Sequence, residues 1–188
     1  MADFVLKPLS PLGHTTAHIT TIGPLTIAEN TAVALASLAS RLGQAGDVAG
    51  IAARLGLPLP VAGHCATGAV YSAFWLGPQQ WMVEAPFVSH EDIVAQLKPQ
   101  FGEAASITEQ TDAWVRFDLA APDLPPLLER LCNYDLRKHG PGCASRTVIE
   151  HLGCYLVHRA FGEITLLGPR SSARSLHHAL MTAANSLY

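Results

Sequence analysis

Cys143, His151, Cys154 and His158 are the residue types of a metal centre, gathered in one short stretch. A structural zinc site needs four such donors on one tetrahedron, usually anchored by a Cys-x-x-Cys pair. No such pair is present, and although Cys154 and His158 can share a strand face, His151 and Cys154 have opposite parity. These four therefore read as core thiols and surface imidazoles. His177 and His178 are adjacent and, on a helix, splay about 100° apart, so they cannot chelate one ion together. Glu109 and Asp112 in "TEQTD" could serve as an acid–base pair, which requires environments that separate their pKa values. A polar hairpin connection between two apolar strands explains the same letters.

"GPRSS" opens a helical stretch, where Arg170, Ser171, Ser172 and free backbone N–H groups could hold an anion. Helix capping by Ser171 or Ser172 is the competing explanation. No Gly-x-Gly-x-x-Gly follows a strand, and neither a P-loop nor a Gly-x-Ser-x-Gly elbow occurs. The glycines of "GQAGDVAG" have the wrong spacing and lead into a helix. No catalytic, cofactor-binding or metal-ligating residue is therefore assigned to this chain.

The tryptophans raise a different possibility. In "FWLGPQQWMVEAP", Trp75 and Trp81 flank "GPQQ", a short turn between strands over 70–76 and 80–85. Trp114 lies on a strand whose Ala113, Val115, Phe117 and Leu119 face one way. Asp112, Arg116 and Asp118 share its own face. An indole among charges suggests a partner surface, and Trp75, Trp81 and Trp114 are the candidate subunit-interface residues.

Those residues need positioning elements. Ala32 to Leu42 is helical by propensity, while its alternation also allows a strand. Gln44 to Leu55 carries a helical stripe of Val48, Ile51, Ala52 and Leu55. Ser89 is expected to cap the next helix, with Asp92 at the capping-box position and Ile93, Val94 and Leu97 buried. Asp123 opens a helix with Pro125 and Pro126 in its first turn. Strands follow near 146–152, 154–159 and 163–167, then a last helix with Leu176, Leu180, Ala184 and Leu187 on one stripe. "FWLGPQQ" and "TLLGPRS" echo each other weakly, as a duplicated unit would. The pattern predicts α+β, antiparallel sheets with helices packed on one face.

Composition bounds the rest. The chain has 188 residues and a formal net charge of −3, with 49% hydrophobic and 14% charged residues. An average soluble protein is roughly 25% charged, so this one leans toward covering its surface with other chains. The scattered Lys and Arg form no basic stripe for nucleic acid, and no apolar run approaches the ~18 residues of a membrane span. "MADFVLKPLSPLGH" lacks a signal-peptide layout. The four cysteines have no framework spacing and read as reduced thiols in a cytoplasm. Residues 1–24, with three prolines, read as an arm before one domain over 25–188.

Four blocks carry a resemblance: "FWLGPQQWMVEAP", "SITEQTDAWVRFDL", "RTVIEHLGCYLV" and "LLGPRSSARSLHHAL". In combination they resemble the gamma subunit of heterotetrameric sarcosine oxidase, from about Leu25 to Ala184. The resemblance implies a cytoplasmic enzyme of alpha, beta, gamma and delta chains. That enzyme demethylates sarcosine to glycine, passes the one-carbon unit to tetrahydrofolate and makes hydrogen peroxide. It implies FAD, FMN and NAD on alpha and beta and zinc on delta, with gamma as a non-catalytic, assembly-supporting chain. The implied fold is similar to the folate-binding domain of aminomethyltransferases, with two ferredoxin-like-type repeated halves. It also implies that "AVALASLASR" is a strand. A folate protein of this fold would need an acid in its central cleft to hold the pterin, and Glu84, Glu109 and Asp112 are the candidates.

Overall fold

The computed structural model describes residues 7–188. In chain order, β1 (Ile19–Ile22), β2 (Leu25–Glu29) and β3 (Val33–Ser40) precede α1 (Ala45–Leu55). Next come β4 (Cys65–Thr67), β5 (Ser72–Gly77), β6 (Gln80–Pro86), the single turn α2 (Phe87–His90), α3 (Ile93–Phe101) and β7 (Ala105–Glu109). Then follow β8 (Trp114–Ala120), α4 (Pro125–Leu131), β9 (Ala144–Ile149), β10 (Leu152–Ala160), β11 (Glu163–Pro169) and α5 (Ala173–Asn185). Among the described residues these strands form a six-stranded sheet, β1-β2-β8-β11-β10-β9, and a five-stranded sheet, β4-β5-β6-β3-β7. Each pairing is antiparallel.

The layers follow from which face of each strand is apolar. Val115, Phe117 and Leu119 of β8 pack with Leu127 and Leu128 of α4 and Leu176 and Leu180 of α5. Ala34, Ala36 and Leu38 of β3 pack with Val48 of α1 and Ile93 and Leu97 of α3. The opposite faces meet each other, with Leu35, Phe74 and Met82 against Ala144, Val157 and Leu167. Each sheet thus carries its helices on one face, giving α/β/β/α layers.

β3 shows why propensity fails locally. Its alanines lie under the helices while Leu35 faces the other sheet, so the segment is buried on both sides. As a central strand between β6 and β7 the segment is paired along both edges, and this tertiary gain overrides an Ala-rich helix preference.

The two halves repeat. β3, α1, β5, β6, α3 and β7 form a β-α-β-β-α-β unit with sheet order β7-β3-β6-β5. β8, α4, β10, β11 and α5 repeat it, with β2 from the N-terminal side filling the fourth strand position. The two Leu-Gly-Pro triplets do not mark this repeat. Gly77 ends β5 at a hairpin, whereas Gly168 precedes the Pro that ends β11 and leads to α5. The partner of Pro169 in the other half is Pro86, which ends β6 before α2.

Other expectations need correction. β7 and β8 are not a hairpin: β7 pairs with β3 and β8 with β2 and β11, so residues 110–113 cross between sheets. Asp92, not Ser89, caps α3, its carboxylate accepting from Ala95 N–H at 3.0 Å. α4 starts at Pro125 behind Leu124, without a side-chain cap from Asp123. The expected strand over 146–152 is interrupted by a turn at Glu150 and His151, both with positive φ (49° and 68°), which pairs Ile149 with Leu152. Within the expected arm, Ile19–Ile22 is strand β1 on the edge of β2; residues 1–6 lie outside the described residues.

Candidate functional site

The inner faces of the two sheets meet at a polar ring. Inner-face alternation places Glu84 two residues after Met82, and Arg116 and Asp118 after Trp114; Arg159 follows Val157, and Thr165 precedes Leu167. Arg116 Nη1 donates to Glu84 Oε1 at 3.1 Å, and Arg159 Nη2 donates to the same oxygen at 2.6 Å. Arg159 Nε donates to Thr165 Oγ1 at 3.1 Å, and that hydroxyl donates to Asp118 Oδ1 at 2.6 Å. Arg116 Nε closes the ring on Asp118 Oδ1 at 2.9 Å, while Asn30 Nδ2 reaches Oδ2 at 2.7 Å.

Two carboxylates and two guanidinium groups leave the ring neutral. Its side chains are largely buried, Glu84 at 5% exposure, Arg116 at 15% and Arg159 at 19%. Burial would push the Asp118 carboxyl up, but Arg116 and the hydrogen bonds from Thr165 and Asn30 hold it below its usual range. Such a ring ties four strands from both sheets together and does little for solvent. Removing one member leaves an uncompensated buried charge.

Cavities flank the ring. One of about 570 Å³ lies between the segment 8–17 and the sheet ends, with Trp114, Arg116, Phe87 and Arg170 in its wall. Another of about 390 Å³ is lined by Val70, Ser72, Glu84, Arg116 and Arg159. Arg116 lines both.

The structure disperses several expected site residues. Trp81 is 8% exposed and donates from its indole to Pro60 O at 2.8 Å, so it is committed to this chain's own core. Trp75 stands opposite it across the β5–β6 pair, half-buried. Trp114 is half-buried too, donating to Gln110 Oε1 at 3.0 Å and meeting the Tyr155 ring edge-on with ring centroids 5.2 Å apart. Arg170 pairs with Asp112 at 3.4 Å and donates to Leu9 O at 3.1 Å. Ser171 and Ser172 lie in a 3-10 turn and make no side-chain cap to α5. Glu109 accepts from Thr111 N–H within its own turn and does not meet Asp112 as an acid–base pair.

Of the metal-like set, Cys154 is buried beneath the helices and His151 sits in the β9–β10 turn. His158 is 3% exposed, against the surface position expected, with Nδ1 at 2.9 Å from His139 O. No group of three or more His, Cys, Asp or Glu residues among the described residues is placed to hold a metal ion.

Of the candidate acids, Glu84 lies in the inter-sheet region, already held by two arginines. Arg159, Thr165 and Asn30 escaped the sequence reading. One signal was available: Glu84 is the one ionisable residue in "WMVEA", a run buried on both faces, and such a carboxylate requires buried counter-charges.

The fold has solved counterparts. A heterotetrameric sarcosine oxidase from Corynebacterium sp. U-96, in complex with pyrrole 2-carboxylate, matches with TM-score 0.76 and 23% identity over 86% of this chain and 84% of that one. The glycine cleavage system aminomethyltransferase T from Bartonella henselae matches with TM-score 0.60 and 12% identity over 81% of this chain and 44% of that one. The likeness is one of fold. No protein-family model and no curated protein matches this chain. No helix among the described residues is long and apolar enough to cross a membrane.

Proposed function

We propose that this chain is a non-catalytic, assembly-supporting gamma-type subunit of a heterotetrameric sarcosine oxidase. That enzyme would demethylate sarcosine to glycine, transfer the one-carbon unit to tetrahydrofolate and produce hydrogen peroxide. Its FAD, FMN, NAD and zinc would sit on the alpha, beta and delta partners, in a cytoplasm. The observation that carries the reading is Glu84. The one candidate acid buried between the sheets accepts from two guanidinium groups of this chain through Oε1, so its charge is already balanced within the chain. The sequence blocks, the shared fold and the low content of charged residues support the same reading.

A second reading, a free-standing tetrahydrofolate-binding protein, draws on the cavity of about 570 Å³ with Trp114 and Arg116 in its wall. A subunit of an oxidase for another N-methylated amine would change the substrate but not this chain's role. The deciding experiment is affinity purification of the tagged chain from its own host, with sizing and a visible absorption spectrum. A large species with flavin bands and three partner chains is the expected result. A small colourless species that titrates with tetrahydrofolate would sink the subunit reading.

A further inference from the structure

Away from the ring, the segment 10–18 forms a strap across β2 and α5. Buried Glu29 holds it from below, accepting Leu12 N–H at 2.9 Å and His18 N–H at 3.0 Å through its two oxygens. Above that anchor, His14 stacks on His18 with ring centroids 5.0 Å apart, and His18 meets His177 of α5 edge-on at 5.6 Å. Arg174, one turn earlier on α5, lies over the strap: its Nη2 sits 3.1 Å from where a Cβ on Gly13 would stand. These four side chains and Leu12 line a pocket of about 220 Å³.

Three imidazoles and a guanidinium thus face one pocket whose lining contains no carboxylate. The nearest acid, Glu29, spends both oxygens on strap N–H groups. Arg174 has no ion pair among the described residues. His177 Nε2 is buried without a hydrogen-bond partner, and a buried imidazole nitrogen in that state lacks a group the structure would otherwise supply.

We propose that this pocket binds a small oxyanion, phosphate or carboxylate, held by Arg174 together with the rings of His14, His18 and His177. Binding is coupled to proton uptake, because an imidazolium carries a positive charge and donates from both ring nitrogens, whereas a neutral imidazole is uncharged and donates from one. The groups facing His177 are His14 and His18 from the strap, Glu29 from β2, His178 and Arg174 from α5, and the Phe117 ring from β8. Burial, and after it His18, holds the His177 ring below its usual range against the pull of Glu29. An anion opposes both effects and favours the protonated ring. Occupancy also pins the strap to α5, and strap residues roof the cavity of about 570 Å³. The site is therefore a proton-linked clasp on that roof, independent of which function the chain serves.

Hydrogen exchange of the full chain, in whatever assembly it purifies, tests this directly. Exchange at the Leu12 to His18 amides is followed with inorganic phosphate, with acetate and with chloride at matched ionic strength. The expected result is saturable slowing by an oxyanion at about pH 6, with about tenfold more required for each unit of pH rise through the linked range. Arg174→Gln and His177→Gln are expected to lose the slowing while amides of α1 keep their wild-type exchange. An acetate effect matching phosphate identifies a carboxylate-tolerant site, and a phosphate-specific effect identifies a phosphate site. Slowing equal in chloride, slowing retained in Arg174→Gln, or no saturable slowing at about pH 6 overturns the proposal.

Discussion

Glu84, with 5% of its side chain exposed, receives two guanidinium donors on a single oxygen. Glu84→Gln keeps the shape but leaves Arg116 and Arg159 without that charge. A loss of about 3–5 kcal/mol in denaturant unfolding is expected. Adding Arg159→Met should recover part of it, because Arg116 retains Asp118; an additive double mutant would show that the ring does not act as a unit. Asp118 sets an acid limit. Its folded pKa lies below its unfolded value of about 4. Its contribution is therefore fully present above that value and lost as pH falls through the lower folded pKa. Asp118→Asn is expected to flatten the acid limb of a stability–pH curve below about pH 4 while lowering stability at neutral pH. An unchanged acid limb would remove Asp118 from that role. Trp114, Arg116 and Asp118 were legible as one strand face; that the face points inward was not, since alternation identifies two sides without saying which is solvent.

At the scale of elements, the start of α3 separates a sequence motif from the geometry that uses it. Ser89 and Asp92 stand at capping-box spacing, but the chain makes the short turn α2 first and begins α3 only after Asp92. Asp92→Ala is expected to lower stability by about 1 kcal/mol and Ser89→Ala by much less, read as melting temperatures. Equal effects would restore Ser89 as a cap. The β9–β10 turn is similar. Glu150 and His151 lack the Asn-Gly signature of a two-residue hairpin, yet both adopt positive φ, so the turn was read through as strand. Pairing of Val148 with Gly153 and Thr147 with Cys154 fixes the register there.

For the whole molecule, two β-α-β-β-α units face each other across apolar inner surfaces, and the N-terminal strand β2 completes the second. The ring sits at that seam and links the halves by charge where Phe74, Met82 and Val157 link them by packing. With 14% charged residues, the outer surface is poorly suited to standing alone. Expressed without partners, the chain is expected to be colourless and poorly soluble, measured by absorbance and sizing. A stable yellow monomer would contradict the role proposed for it.

The α+β class, the helices α1 and α5, the β5–β6 hairpin and the absence of nucleotide-binding motifs follow from local patterns, because periodicity and turn chemistry act over a few residues. Tertiary structure decided three things that local pattern left open. β3 is a strand, as the family resemblance implied against propensity, because burial on both faces outweighs its helix preference. Residues 110–113 cross between sheets, since β7 pairs with β3 of one sheet and β8 with β2 and β11 of the other. Glu84, Arg116 and Arg159 meet because three strands distant in sequence converge at one seam. Pairing over such separations depends on how the sheets stack, which no local spacing encodes.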